Sequence, residues 1–202
     1  MIRVLLVHDV CLLRSALAER LAGEPDLEVF HAPWRSAPSR ARMLRPDVCA
    51  VDLDCSESYG IAPLGELPGS RTGGGSSPLL VLANANRPGP LRRAVEAYAC
   101  GFVDKEGTPE NLIAAIRKVA KGELFVDTSL GFSFLRAAQM PLTKRELSVL
   151  SLAAEGASIG DIANSLHLSN GTVRNYMAAI TRKTGARNRV DAIRISQGEG
   201  WV

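Results

Sequence analysis

Short, mostly apolar runs that alternate with helical segments are the feature that most constrains the fold of this chain. Continuous apolar runs of this length are typical of strands that are covered on both faces of a sheet. The runs predicted as strands are Ile2–Val7, Leu27–Phe30, Val48–Leu53, Leu79–Ala83 and Gly101–Asp104. The segments with helical periodicity between them are Leu12–Ala22, Ser39–Leu44, Leu91–Ala99 and Pro109–Lys121. This alternation predicts an α/β domain with a doubly wound, five-stranded parallel sheet.

The helix between the third and fourth predicted strands is expected to be much shorter than the others. Prolines and the run Thr-Gly-Gly-Gly-Ser-Ser interrupt residues 60–78. We therefore expect only a short helix near Pro63–Leu67, followed by a mobile loop.

Polar side chains collect where the predicted strands end. His8 and Asp9 follow the first strand, Asp52 and Asp54 end the third, and Lys105 follows the fifth. The carboxyl ends of parallel strands meet at one edge of a sheet, where α/β proteins bind ligands. Clustered carboxylates beside a lysine suit Mg²⁺ and a phosphoryl group. The alternative is that these aspartates only accept hydrogen bonds from loop N–H groups.

The segments VLLVHDVCLLRSAL, PDVCAVDLD and GFVDKEGTPENLIAAI resemble the receiver domain of bacterial response regulators. The resemblance covers residues 1–121 and implies a flavodoxin-like fold. It implies that Asp52 is phosphorylated by a partner sensor histidine kinase, and that Asp9 and Asp52 hold Mg²⁺. It also implies that Lys105 contacts the phosphate and that Phe102 is the switch aromatic.

Two positions depart from the receiver pattern. The family usually has a second acid where His8 stands, and Ser or Thr where Ala83 stands. The missing hydroxyl normally couples the phosphoryl group to the aromatic switch, and imidazole is a poor substitute for a Mg²⁺-binding carboxylate. The resemblance is therefore to an atypical receiver.

Residues 122–140 are predicted to be a partly ordered, partly helical linker, because GELFVDTS is followed by the weakly helical FLRAAQ and then Pro141. Residues 141–202 are predicted to form a second, all-α domain of four helices. Thr143 with Glu146 forms a capping box at the start of its first helix. Ser158–Leu166 is the second helix, and Asn188 with Asp191 caps the fourth.

The third helix of this domain lies within Leu166–Gly185, and Ser169 stands at its N-cap. Val173, Met177 and Ile180 recur at helical spacing and predict a buried stripe. The face opposite this stripe carries Thr172, Arg174, Asn175, Ala178, Arg182 and Lys183. A short helix, a tight turn and a basic helix together predict a helix-turn-helix.

Charge is divided unevenly between the two parts of the chain. Residues 141–202 contain eight Lys and Arg and five Asp and Glu, whereas residues 1–140 contain sixteen of each kind. The formal net charge of +3 thus lies in the last third, and no acidic residue occurs between Ile162 and Val190. A basic, acid-free segment favours a polyanionic partner, although a solvated helix face is the plainer interpretation.

The stretch LTKRELSVLSLAAEGASIGDIANSLHLSNGTVRNYMAAITRKTGARNRVDAIRIS resembles the LuxR/NarL type of DNA-binding domain, in its DesR-like branch. The resemblance implies a transcription regulator that binds inverted-repeat double-stranded DNA as a homodimer. It places Arg174, Asn175 and Ala178 at base edges. It places Thr172, Arg182 and Lys183 at phosphates, and Ser169 is the remaining DNA-facing position.

The fourth helix is a candidate dimer interface, because Val190, Ile193 and Trp201 exceed what a small bundle needs. The alternative is that they only close the core of the bundle. Two hypotheses remain for the receiver: a switch driven by phosphorylation of Asp52, and a phosphorylation-independent module controlled by a ligand or by dimerisation.

An enzyme is the third class considered. The Asp-x-Asp pattern at Asp52 and Asp54 resembles that of haloacid dehalogenases, but there it opens the first strand, whereas here it ends the third. No apolar run is long enough for a membrane span, no signal peptide is evident, and the four cysteines lack metal-binding spacing. We expect a cytoplasmic protein with reduced thiols and no enzymatic activity.

Overall fold

The computed structural model describes residues 1–54, 64, 67 and 77–202. The helix predicted near Pro63–Leu67 and the loop behind it fall, apart from single positions, outside these residues. In the part that is described, no helix is both long and apolar enough to cross a membrane.

Parallel strands form a single sheet in the order β2-β1-β3-β4-β5-β6. Their bounds are β1 (Ile2–Val7), β2 (Leu27–Ala32), β3 (Val48–Asp52), β4 (Leu79–Ala83), β5 (Gly101–Asp104) and β6 (Phe125–Val126). The predicted doubly wound α/β domain is confirmed. Within the described residues the sheet has one strand more than predicted, because Phe125 and Val126 pair in parallel with Gly101 and Phe102.

Helices cover both faces of the sheet. The helices of this domain are α1 (Cys11–Ala22), α2 (Ala37–Leu44), α3 (Pro88–Glu96), α4 (Pro109–Ala120) and α5 (Gly131–Ala138). Successive side chains of a strand point to opposite faces. Leu5 and Val7 therefore pack in the core that includes residues of α2 and α3, whereas Val4 and Leu6 pack in the core that includes residues of α1 and α4.

The predicted linker is largely folded onto the sheet domain. It forms β6, a turn of 3-10 helix at Thr128–Leu130, and α5. Leu130 is fully buried in the core beside α3. The domain boundary predicted at residue 121 thus falls before the last elements that pack on the sheet.

The C-terminal part is a helical bundle composed of α6 (Lys144–Ala154), α7 (Ile159–Leu166), α8 (Asn170–Thr184) and α9 (Arg189–Gly198). Capping boxes start α6 at Thr143 and α7 at Ser158, where each side chain accepts an N–H of the first turn. His167 ends α7 in the left-handed region, with φ 54°. His167 and Leu168 form the short connection between α7 and the N-cap of α8, as the helix-turn-helix interpretation of the sequence predicts.

Candidate functional site

The polar residues predicted at the strand ends do meet at one edge of the sheet. Asp52, at the end of β3, is 2% exposed. His8 follows β1 and Lys105 follows β5, and both side chains reach the carboxylate of Asp52. We call the group formed by His8, Asp9, Asp52, Asp54 and Lys105 the acceptor pocket.

Nitrogen donors contact both oxygens of the Asp52 carboxylate. His8 Nε2 lies 3.0 Å from Oδ2, while Lys105 Nζ and the backbone N of Asp54 each lie 2.9 Å from Oδ1. Burial alone would raise the pKa of the Asp52 carboxyl. The hydrogen bond from His8 and the charge and hydrogen bond of Lys105 outweigh burial and hold this pKa well below its usual range.

The backbone fixes the position of the proton on His8. The N–H of Val10 donates to Nδ1 of His8 at 3.1 Å, so Nδ1 is an acceptor and the ring proton belongs on Nε2. The imidazole therefore donates to Asp52, whereas a carboxylate at the same position would repel it.

Asp9 and Asp54 are only partly free to act as ligands. Oδ1 of Asp9 accepts the N–H of Trp34 at 2.8 Å, while its Oδ2 is buried without a partner among the described residues. Asp54 forms ion pairs with Lys105 and, at 3.3 Å, with Arg87. Burial tends to lower the pKa of Lys105, but the two carboxylates raise it overall, which keeps the ammonium charged.

The pocket does not fit Mg²⁺ in this arrangement. A magnesium site needs oxygen ligands with accessible lone pairs. Asp9 Oδ2 has no partner among the described residues but is buried, the oxygens of Asp52 already accept N–H groups, and His8 presents a proton rather than an oxygen. Across residues 1–54 and 77–202, no group of three or more His, Cys, Asp or Glu is placed to hold a metal.

The two predicted switch positions differ in their surroundings. Ala83 is fully buried at the end of β4 and offers no hydroxyl to the pocket. Phe102 packs edge-to-face on Phe134 of α5, with ring centroids 5.0 Å apart and planes at 79°. Ser133, beside Phe134, donates its hydroxyl to the carbonyl of Ala85 in the β4–α3 loop. Sequence reasoning missed Ser133 and Phe134, although the helical spacing of FSFLRAAQ was a signal for α5.

The second candidate site is α8. Its N-cap Ser169 accepts the N–H of Thr172 at 3.1 Å, and the predicted stripe of Val173, Met177 and Ile180 is buried in the bundle core. This stripe fixes which face of α8 points away from the bundle.

The outward face carries most of the residues predicted to contact DNA. Arg174, Asn175, Ala178 and Arg182 are all exposed. The neighbouring α/β domain therefore does not cover these side chains. We call these four residues the DNA-facing set.

Lys183 differs from that set because it is tied to the bundle. Its ammonium lies 2.8 Å from Oε2 of Glu146, and 35% of its side chain is exposed. Burial alone would raise the pKa of Glu146, but hydrogen bonds from Lys183 and Thr143 lower it below its usual value. The predicted phosphate contact by Lys183 thus competes with a structural ion pair. Arg189 is also structural, because it donates to the carbonyls of Ala153 and Ala157.

The residues proposed for the dimer helix are divided between two surfaces. Val190 on α9 is 74% exposed. Trp201 instead lines a cleft between α3 and α6 within the same chain. Asp191 lies in the first turn of α9 and is largely buried, and its pKa is lowered to about 2, first by the backbone N–H of Arg187 and then by the side chain of Arg194.

Comparison with known proteins identifies the relatives of this chain. Residues 140–196 match the family described as bacterial regulatory proteins of the luxR family. The chain is 49% identical over 206 residues to the response regulator RamR of Streptomyces coelicolor, covering 100% of this chain and 98% of RamR. It is 32% identical to the transcriptional regulatory protein DesR of Bacillus subtilis, covering 100% of this chain and 99% of DesR.

A similar fold occurs in RcsB of Salmonella enterica serovar Typhimurium, solved bound to a promoter in the presence of a phosphate mimic. The two chains share 21% identity with a TM-score of 0.63, and the match covers 98% of each. At this level of identity the likeness shows the fold alone.

Proposed function

This chain belongs to the NarL/FixJ family of response regulators with a LuxR-type DNA-binding domain, and on this premise we propose how it reads DNA and how it is controlled. As a member of this family it is a DNA-binding transcription regulator, and we propose that it binds DNA as a dimer. The residues that perform each role in this chain are our proposal.

Direct readout is assigned to the exposed face of α8. Arg174 and Asn175 lie in the first two turns, where recognition helices approach base edges. Arg pairs with guanine and Asn with adenine through two hydrogen bonds each. Arg182, together with Thr172 and Ser169 near the helix start, is assigned to the phosphate backbone. The observation that carries this assignment is that the DNA-facing set is exposed opposite a fully buried stripe.

Two-fold pairing through α9 follows from the same geometry. One bundle presents a single recognition helix, so an inverted repeat read by two copies supplies the contacts that one copy lacks. Val190, exposed near the start of α9, is the apolar residue that this pairing would cover.

Selection of sites from a random DNA pool with the purified protein tests this function. We expect an inverted repeat whose half-sites lie about one helical turn apart. Enrichment of a single half-site or of direct repeats would contradict the two-fold arrangement. An unenriched pool would contradict sequence reading by α8.

For control, the geometry supports the phosphorylation-independent hypothesis. The hydrogen bonds from His8 and Lys105 hold the Asp52 carboxylate in a charge-balanced state, and Ala83 lacks the hydroxyl that the family uses for coupling. The rival proposal is that Asp52 accepts a phosphoryl group from a sensor histidine kinase with Mg²⁺, which the position of Asp52 in the pocket supports.

A phosphodonor experiment separates the two. The protein is mixed with acetyl phosphate and Mg²⁺, and its dimerisation and DNA affinity are followed beside Asp52→Ala. We expect wild type and variant to behave alike. A rise in dimerisation or affinity in wild type alone would establish phosphorylation control and a place for a kinase partner.

A further inference from the structure

The inner face of α5 contacts two elements that line the acceptor pocket. Phe134 packs on Phe102 of β5, and the Ser133 hydroxyl reaches the carbonyl of Ala85. Ser133 is 2% exposed, so its hydrogen bond is made away from solvent. The helix therefore touches both the aromatic residue and the loop that follows β4.

The outer end of α5 is joined to the last residues of the DNA-binding domain. Arg136 of α5 forms an ion pair with Glu199, just after α9. The carbonyl of Glu199 accepts the N–H of Gly89 at 3.0 Å, and the carbonyl of Gly200 accepts a side-chain N–H of Arg93 at 3.1 Å. The segment Glu199–Trp201 thus binds the first two turns of α3.

This contact is possible only because two glycines face each other. A Cβ on Gly89 would lie 1.9 Å from the carbonyl oxygen of Gly200. Gly200 itself has φ of +66°, and a Cβ there would lie 2.7 Å from Cδ of Pro90. Backbone approach this close, with a left-handed residue at its centre, requires glycine at both positions.

The docked arrangement leaves the DNA-facing set exposed. It does not act by covering the recognition helix. What it fixes is the position of α8 relative to the sheet domain, and in a dimer this position sets the distance between the two recognition helices.

We propose that α5 and Glu199–Trp201 form an intramolecular latch that couples the β4–α3 loop to the placement of the DNA-binding domain. In the family pattern a hydroxyl at the end of β4 connects the pocket to the loop. Ala83 lacks this group, and the hydroxyl that holds the loop is that of Ser133, on the latch itself. A displacement of the loop or of Phe102 shifts α5, and Arg136 carries the shift to Glu199.

Gly89→Ala tests the latch directly, with Gly198→Ala as its matched control. A Cβ on Gly198 meets no atom within 4 Å among the described residues. Trp201 lies in the cleft between α3 and α6. Opening the latch by Gly89→Ala is therefore expected to shift the Trp201 emission to longer wavelength and to increase the radius of gyration, whereas Gly198→Ala changes neither. Comparison with the Trp201→Phe variant shows which part of the emission comes from Trp201 and which part from Trp34.

A charge exchange provides a second test that does not depend on packing at the glycines. Arg136→Glu and Glu199→Arg are each expected to open the latch, and the double variant to close it again. Loss of one charge-assisted hydrogen bond corresponds to about a tenfold change in the ratio of open to closed protein. The latch proposal is overturned if Gly89→Ala and both single charge variants show the same Trp201 emission and the same radius of gyration as wild type.

A further measurement, of DNA binding by the same variants, rests on the proposed function and is interpreted separately. The open variants should bind one half-site as wild type does, but should tolerate altered spacing between the two halves of the inverted repeat. If no variant binds DNA, the proposed reading by α8 is wrong, while the emission and scattering results still decide the latch. If the open variants keep the wild-type spacing preference, the latch does not place the DNA-binding domain.

Discussion

His8→Asp is the substitution that tests most directly our proposal that the acceptor pocket needs no divalent cation. In the structure, Lys105 and Arg87 form ion pairs with the carboxylates of Asp52 and Asp54, while Arg14 donates to the backbone carbonyls of His8 and Asp9. His8 adds an N–H donor to Asp52. The aspartate would add a fourth negative charge and remove the donor to Asp52.

The expected loss of stability follows from these two changes. Two unit charges about 5 Å apart repel by about 3 kcal/mol at an effective dielectric constant of about 20. Losing a hydrogen bond to a charged group removes about 1.5–3 kcal/mol more. Partial protonation of the new carboxyl offsets some of this, so we expect the free energy of unfolding to fall by about 3–5 kcal/mol.

Magnesium should reverse this loss in the variant alone. A cation that binds only the folded state stabilises it by about 2.7 kcal/mol at a concentration of 100 times its dissociation constant. Thermal unfolding, followed by the fluorescence of Trp34, provides the assay. The indole N–H of Trp34 donates to the carbonyl of Asp52 at 2.9 Å, so its emission reports on this pocket. Each kcal/mol corresponds to roughly 3 °C in Tm.

His8→Asn is the matched control, because it retains an N–H donor without charge. We expect it to lose less stability than His8→Asp and to show no response to Mg²⁺. The reasoning fails if Mg²⁺ raises the Tm of wild type as much as that of His8→Asp. In that case the pocket binds the cation despite the imidazole, and Mg²⁺-dependent phosphorylation of Asp52 regains its support.

Four further predictions concern the DNA-binding domain. Arg174→Ala should reduce affinity for the selected site by about 1–3 kcal/mol while leaving binding to random DNA nearly unchanged, as measured by fluorescence anisotropy. Arg182→Ala should weaken both equally and reduce the slope of log affinity against log salt by about one unit. Lys183→Ala should leave that slope unchanged and lower Tm instead, because the ammonium neutralises the buried Glu146. Hydrogen bonds in the folded state lower the pKa of Asp191 to about 2. Its carboxylate therefore stabilises the fold fully above the pKa of about 4 that it has in the unfolded chain. This stability is lost as pH falls from about 4 to about 2, and Asp191→Asn should remove this part of the acid unfolding curve.

The elements that sequence predicted well are those fixed by local chemistry. β4 and β5 have the predicted bounds, since each is a short apolar run between turn residues. The cap at Thr143 and the stripe of α8 were equally predictable, because capping and helical periodicity involve residues three or four positions apart. The convergence of Asp52 and Lys105 required only the rule that parallel strands end at one edge.

What sequence missed depends on contacts between distant residues. The start of α3 is an exception with a local cause: periodicity predicts it at Leu91, but the helix begins at Pro88, because proline suits a first helical turn. β6 exists only because β5 offers it an edge to pair with. The contact between Gly89 and Gly200 joins positions that lie more than half of the chain apart in sequence. A glycine in a sequence does not reveal which backbone approaches it.

On our proposal, this regulator keeps a receiver fold but departs from the usual receiver chemistry. His8 and Lys105 contact the Asp52 carboxylate, the group that a cation and a phosphoryl group would otherwise use. On this proposal, a signal acts through the β4–α3 loop. Arg87 links the loop to Asp54 of the pocket, Ser133 of α5 binds the carbonyl of Ala85, and the loop leads directly into α3, on which Gly200 docks. The latch proposal thus predicts that displacement of this loop moves the DNA-binding domain without phosphorylation of Asp52.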